Sequence, residues 1–65
     1  MKTYEAWVMM DENGVVTEEY NSAEEEVNEL KKHYTVEEMH RAGIECCKLL
    51  CSEESWLECL EIVEY

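Results

Sequence analysis

Carboxylates constrain this chain more than any other feature. Seventeen Asp and Glu stand against five Lys and Arg in 65 residues, and the excess is segregated along the sequence. Residues 3–30 hold Glu5, Asp11, Glu12, Glu18, Glu19, Glu24, Glu25, Glu26 and Glu29 without one base, and residues 49–65 add Glu53, Glu54, Glu58, Glu61 and Glu64, again without a base. Apart from Lys2, the cations Lys31, Lys32, Arg41 and Lys48 occupy the middle third. A net charge of −12 works against compaction through self-repulsion. A fold built on it must gather its apolar residues into narrow periodic stripes and leave the remaining surface anionic.

Acidity at this level often means disorder. Here 46% of residues are apolar, two Trp and four Tyr are present, Pro is absent, and the acids are interleaved with Val, Leu, Ile and Trp. The expectation is therefore one small acidic domain spanning residues 1–65. A chain this short buries only about 60% of its unfolded surface, which favours binding through an exposed surface over catalysis in a deep pocket. The N-terminus has no apolar run of signal-peptide length, and the longest apolar stretch, residues 6–10, is far too short to span a bilayer. An anionic surface is repelled by anionic lipid and by nucleic acid. These points predict a cytoplasmic protein of a bacterial host, a monomer or weak dimer, with no direct contact to nucleic acid or membrane.

Alternation over residues 3–10, ending in Asp11-Glu12-Asn13-Gly14, predicts a strand and a tight turn with Asn-Gly supplying the positive-φ positions. Residues 15–20 read as the returning strand, with Glu18 and Glu19 at its solvent end. Ser22-Ala23-Glu24-Glu25 is a capping-box pattern that predicts a helix over residues 22–33. Its first-turn acids suit the helix dipole, and Ala23, Val27, Leu30 and Tyr34 form a stripe roughly 60° wide. Thr35-Val36-Glu37-Glu38 repeats the capping signature. The second helix it starts is expected to carry Val36, Met39, Gly43, Ile44, Cys46, Cys47, Leu50 and Cys51 on one side. Residues 52–65 fit either a helix capped by Ser52 or a strand; a strand over residues 56–65 is preferred because a hairpin wants a third member. The predicted class is α+β: a three-stranded antiparallel sheet with two helices on one face, in the order ββααβ.

Cys46, Cys47, Cys51 and Cys59 fit no familiar zinc spacing and read as buried reduced thiols. Asp11 cannot open an EF-hand loop, because Val16 and Ser22 stand where Gly and a carboxylate are required. A pairing of His40 with Cys47 on one helix face would be strained, and no Ser or Cys is spaced to His33 or His40 as nucleophile to base. With only Gly14 and Gly43, no phosphate-binding loop exists. These readings predict a non-enzyme without metal or cofactor.

What remains is the carboxylate spacing. Acids repeat at about 6.6 Å per two strand residues and at about 5–6 Å between i, i+3 and i+4 helix positions. A groove built for duplex DNA, which carries one charge per about 1.7 Å of axis, cannot reject such an array on charge. In size and in runs such as Glu18-Glu19, Glu24-Glu25-Glu26, Glu53-Glu54 and Glu58-x-x-Glu61-x-x-Glu64, the chain resembles the small acidic DNA-mimic inhibitors of phages and mobile elements, the anti-CRISPR and anti-restriction proteins. The resemblance implies an inhibitor that blocks target-DNA binding by a CRISPR effector or restriction enzyme, at a surface that recognises the motif beside the target. The residues expected to make contact are Glu5, Asp11, Glu12, Glu18, Glu19, Glu24, Glu25, Glu26 and Glu29, with Glu58, Glu61 and Glu64 as a second patch. Two other readings stand beside it: a merely solubilising surface, and an antitoxin, immunity protein or adaptor that neutralises a basic partner or dimerises through Trp7, Met9, Trp56 and Tyr65.

Overall fold

The computed structural model describes residues 2–65. Among them, the elements run β1 (Thr3–Asp11), β2 (Gly14–Val15), α1 (Ala23–Lys31), α2 (Val36–Arg41), β3 (Glu45–Ser52) and β4 (Trp56–Val63). The strands form one antiparallel sheet in the order β2-β1-β3-β4. The expected α+β class holds, with four strands in place of three and ββααββ in place of ββααβ.

The first turn forms as its sequence dictates. The Asp11 carboxylate accepts the Asn13 backbone N–H at 2.8 Å, and Gly14 takes a φ of 128°, a conformation open to a residue without Cβ. The returning strand is shorter than expected, because β2 pairs with β1 only at Met10–Val15 and Asp11–Gly14. Beyond it Thr17 intervenes: its hydroxyl, in place of a backbone carbonyl, accepts the Met9 N–H at 3.0 Å. Pairing resumes only where Trp7 and Tyr20 exchange backbone bonds of 2.9 and 3.0 Å. Glu18 and Glu19 fall in the intervening residues.

Both predicted helix starts are present. The Ser22 hydroxyl accepts the Glu25 N–H at 3.2 Å, and Thr35 and Glu38 form the full reciprocal box. The second helix is a correction: it ends at Arg41, Gly43 follows with a φ of 75°, and Cys46, Cys47, Leu50 and Cys51 belong to β3. A run apolar on both faces suits a central strand as well as a buried helix, and the positive φ at Gly43 is a helix stop.

Register sorts the core into two layers. Trp7, Met9, Cys46 and Val63 share the sheet face that packs on Val27 and Leu30 of α1 and Val36 and Met39 of α2. Ala6, Val8, Cys47, Leu49 and Cys51 form a second buried cluster on the other face, with Met10 and Val15 against it. Three thiols are buried and Cys59 is exposed, all four free. His40 is on α2 and Cys47 on β3, not on one helix face. The His40 ring lies tilted against the Tyr65 ring at 4.6 Å, and the Tyr65 hydroxyl donates to the Ile44 carbonyl.

Candidate acidic interface

The structure divides the carboxylates differently from the sequence. On α1, Glu24 and Glu25 are exposed in the first turn. Glu29 follows Glu25 by one turn, so the two neighbour each other on the helix surface. Glu29, Glu18 and Glu26 all lie near Tyr20, and their negative charge, Glu29 foremost, together with partial burial raises the Tyr20 pKa. Glu19 turns elsewhere and accepts the Tyr4 hydroxyl at 3.0 Å, which holds the Tyr4 pKa above its ordinary value. Asp11 and Glu12 remain apart at the turn, beside a groove shared with Glu45, Cys59 and Ile62.

Glu26 is the correction within this set. It is 0% exposed and so leaves the surface array. Its Oε2 accepts the Thr17 hydroxyl at 2.6 Å, while Oε1 is buried without a hydrogen-bond partner. Burial pushes its pKa up to about 7 against the help of the Thr17 bond, with Glu29 adding repulsion. The chain Met9 N–H to Thr17 to Glu26 ties β1, the 16–20 segment and α1 together. A sequence signal for this existed: Glu26 is three residues after Ala23 and four before Leu30, on the flank of the apolar stripe.

A second array lies across the sheet. β4 carries two register shifts against β3, and the residues left unpaired are Leu60 and Leu57. In a regular strand, positions i and i+3 face opposite sides. The extra residue at Leu60 instead sets Glu58 opposite Leu50 and Glu61 opposite Lys48, on one face. Glu5 pairs with Leu50 from the β1 side, so Glu5 and Glu58 flank the same residue. Glu5 therefore joins Glu58 and Glu61, not the α1 acids. Lys48 is the cation within this array, its Nζ 3.4 Å from Glu5 and 5.6 Å from the centre of the Trp7 ring.

Little of the charge is neutralised internally. Among the described residues, only Glu5, Glu29 and Glu37 are ion-paired, with Lys48, Lys32 and Arg41, and exposed pairs of this kind contribute at most about 1 kcal/mol each. The Lys32 bond to Glu29 raises the lysine's pKa, and the Thr35 backbone N–H lowers that of Glu38. No group of three or more His, Cys, Asp or Glu among the described residues is arranged to hold a metal ion, and no helix there is long and apolar enough to cross a membrane. Comparison with protein-family models, with curated proteins and with solved structures finds no match.

Proposed function

We propose that the chain is a non-catalytic inhibitor that occupies a basic, nucleic-acid-binding channel of a bacterial defence complex, such as a CRISPR effector or restriction enzyme. The observation that carries this reading is a carboxylate surface with few internal cations, held mostly by fixed elements: Glu24, Glu25 and Glu29 on α1 with Glu18 beside it, and Glu5, Glu58 and Glu61 across the sheet. Of these only Glu29 and Glu5 are ion-paired. Acids held by a capped helix and a hydrogen-bonded sheet lose little freedom on docking, so each can release a counterion from a cationic groove at small ordering cost. Long-range attraction between such surfaces also speeds encounter.

The test is capture of the chain's partners from a bacterial lysate containing CRISPR effectors and restriction enzymes, at low and high salt, with and without excess duplex DNA. Enrichment of a DNA-binding complex that duplex DNA displaces is expected. Glu18→Lys/Glu24→Lys/Glu25→Lys, which leaves Glu26 in place, should abolish that capture while the circular dichroism is unchanged. Full capture by the triple variant would sink the α1 assignment. The second reading, an acidic module that neutralises a basic toxin or other non-DNA partner, is favoured by one observation. Trp56, Leu57, Leu60 and Ile62 stay exposed, and an array that only mimics phosphates has no use for them.

A further inference from the structure

We propose that the projecting part of β4, from Trp56 to Ile62, is a docking strip for a protein surface that offers apolar side chains flanked by lysine or arginine. The inference rests on the reading that the partner is basic, which both functions above share, and it names the surface that would hold that partner. β4 is the sheet edge, and seven of its eight residues are exposed. Within it Trp56 is 46%, Leu57 45%, Leu60 42% and Ile62 58% exposed. Its C-terminal end reaches the helices, through Val63 and then Tyr65, and within the sheet the remainder has β3 as its single neighbouring strand. Four large apolar side chains within seven residues at a sheet edge are what an interaction surface exposes, and they carry an aggregation risk if left bare.

Charge decides the occupant. Register sets Glu58 and Glu61 on the face of Leu50 and Lys48, and Trp56 and Ile62 on the face of Cys51 and Cys47, so acids and apolar side chains flank the same free edge. Glu64 follows, and none of the three acids has an ion-pair partner among the described residues. A second copy of this chain would bring the same acids and another −12 of charge. Like charges set opposite one another across strands are destabilising. The register shifts at Leu57 and Leu60 further interrupt the ladder of free backbone groups, and bulges and charges are the devices by which edges avoid pairing with themselves. Duplex DNA is repelled outright. A cationic protein surface that wraps this edge satisfies the acids on one side of the strand while Trp56 and Ile62 bury on the other, and buried aromatic and aliphatic anchors are what binding hot spots use.

Two peptides serve as probes, titrated into the 15N-labelled full chain at 0.1 and 0.5 M salt: a capped ten-residue peptide of alternating lysine and isoleucine, and its lysine–serine counterpart of equal charge. Amide shifts confined to residues 56–63 are expected for the lysine–isoleucine peptide, with affinity at least tenfold above the lysine–serine peptide. At 0.5 M salt that binding should persist, because screening leaves apolar burial in place. Leu60→Ser/Ile62→Ser should lose at least tenfold while its spectrum stays folded. Equal binding of both peptides, shifts centred on α1 and Glu18, or indifference to the double variant would overturn the proposal. So would a doubled mass in ultracentrifugation that the variant abolishes, which would assign the strip to a second copy. The lysate capture reports separately: DNA competition there can fail while β4 binds, and β4 can fail while the acids alone recruit a DNA-binding complex.

Discussion

β3 and β4 are neighbouring strands of eight residues each, joined by a short turn, and they have opposite fates. β3 has five buried residues and β4 none, although β4 is rich in Trp, Leu, Ile and Val. Strand composition does not produce this difference; rank in the sheet does. β3 lies between β1 and β4 with apolar side chains on both faces, the signature of a central strand, while β4 has one neighbour and no helix over most of its length. Buried Ser52 closes the turn between them: its hydroxyl accepts the Ser55 N–H at 3.2 Å and donates to the Ser55 carbonyl at 3.0 Å. The contrast teaches that apolar residues at a sheet edge are available for a partner, whereas the same residues one strand inward hold the domain together.

The strongest way to break the contrast is a truncation in β3. Leu49 is 3% exposed at the centre of the second cluster, so Leu49→Ala should cost about 2–5 kcal/mol. Domains of this size hold only about 0.05–0.15 kcal/mol per residue, so urea denaturation should find this variant at or beyond the edge of folding. A loss under about 1 kcal/mol would mean that the face opposite the helices is not a packed core.

Next in size is the buried carboxylate over β3, where Glu26 lies close enough to Cys46 to help raise that thiol's pKa. The folded carboxyl keeps its proton up to about pH 7, whereas the unfolded one releases it near 4.5. Between these values the unfolded chain binds fewer protons, so stability falls as pH rises through this window and is level above it. The span amounts to on the order of 3 kcal/mol. Glu26→Gln should remove that slope and leave the variant more stable than the parent at pH 8, as measured by thermal melts from pH 4.5 to 8. Melts of the variant parallel to the parent's across that range would show that Glu26 is hydrated. Glu58→Gln on β4 should change stability by less than about 0.5 kcal/mol at any pH.

The thiols report the same contrast by rate. Burial, reinforced by neighbouring Cys59, pushes the Cys47 pKa up to about 11, and burial raises Cys46 and Cys51 too. Cys59 on β4 is exposed. Since the thiolate is the nucleophile, one thiol per chain should react with a disulfide reagent within minutes and three only on unfolding. Mass spectrometry of the labelled site checks the identity, and fast labelling on β3 would place that strand nearer the surface.

The parts of the fold that were legible in sequence are those set by local chemistry. Asn13-Gly14 marked the turn, and Ser22 and Thr35 marked both helix starts, because a positive φ or an orphan N–H demands particular residues at particular places. Cys46 to Cys51 was not legible: a run apolar but for Lys48 carries no clear period to separate helix from strand, and only pairing with β1 and β4 decides it. Gly43 was the available hint. Glu24 and Glu25 were legible as exposed, whereas Glu26 was not legible as buried, because its charge outweighed its place on the flank of the apolar stripe. The grouping of Glu5 with Glu58 and Glu61 was beyond reach, since it depends on cross-strand register and on a bulge that no local pattern specified.

The smallest expected effect is the most telling for β4. Leu60→Ala removes a side chain that is 42% exposed at a position without a cross-strand partner, so little packing is lost and no cavity opens. Surface substitutions of this kind change stability by about 0.5 kcal/mol or less, against the several kcal/mol set for Leu49→Ala although both delete the same atoms. Equal urea midpoints for Leu60→Ala and the parent would support a strand whose apolar residues do not hold the fold. A loss above about 2 kcal/mol, in the range of a buried leucine, would mean that Leu60 is already covered in solution. Repeating the melt at tenfold dilution then separates the two ways of covering it. A concentration-dependent midpoint points to a second copy, and an unchanged one to packing within the chain, either of which removes the docking strip from β4.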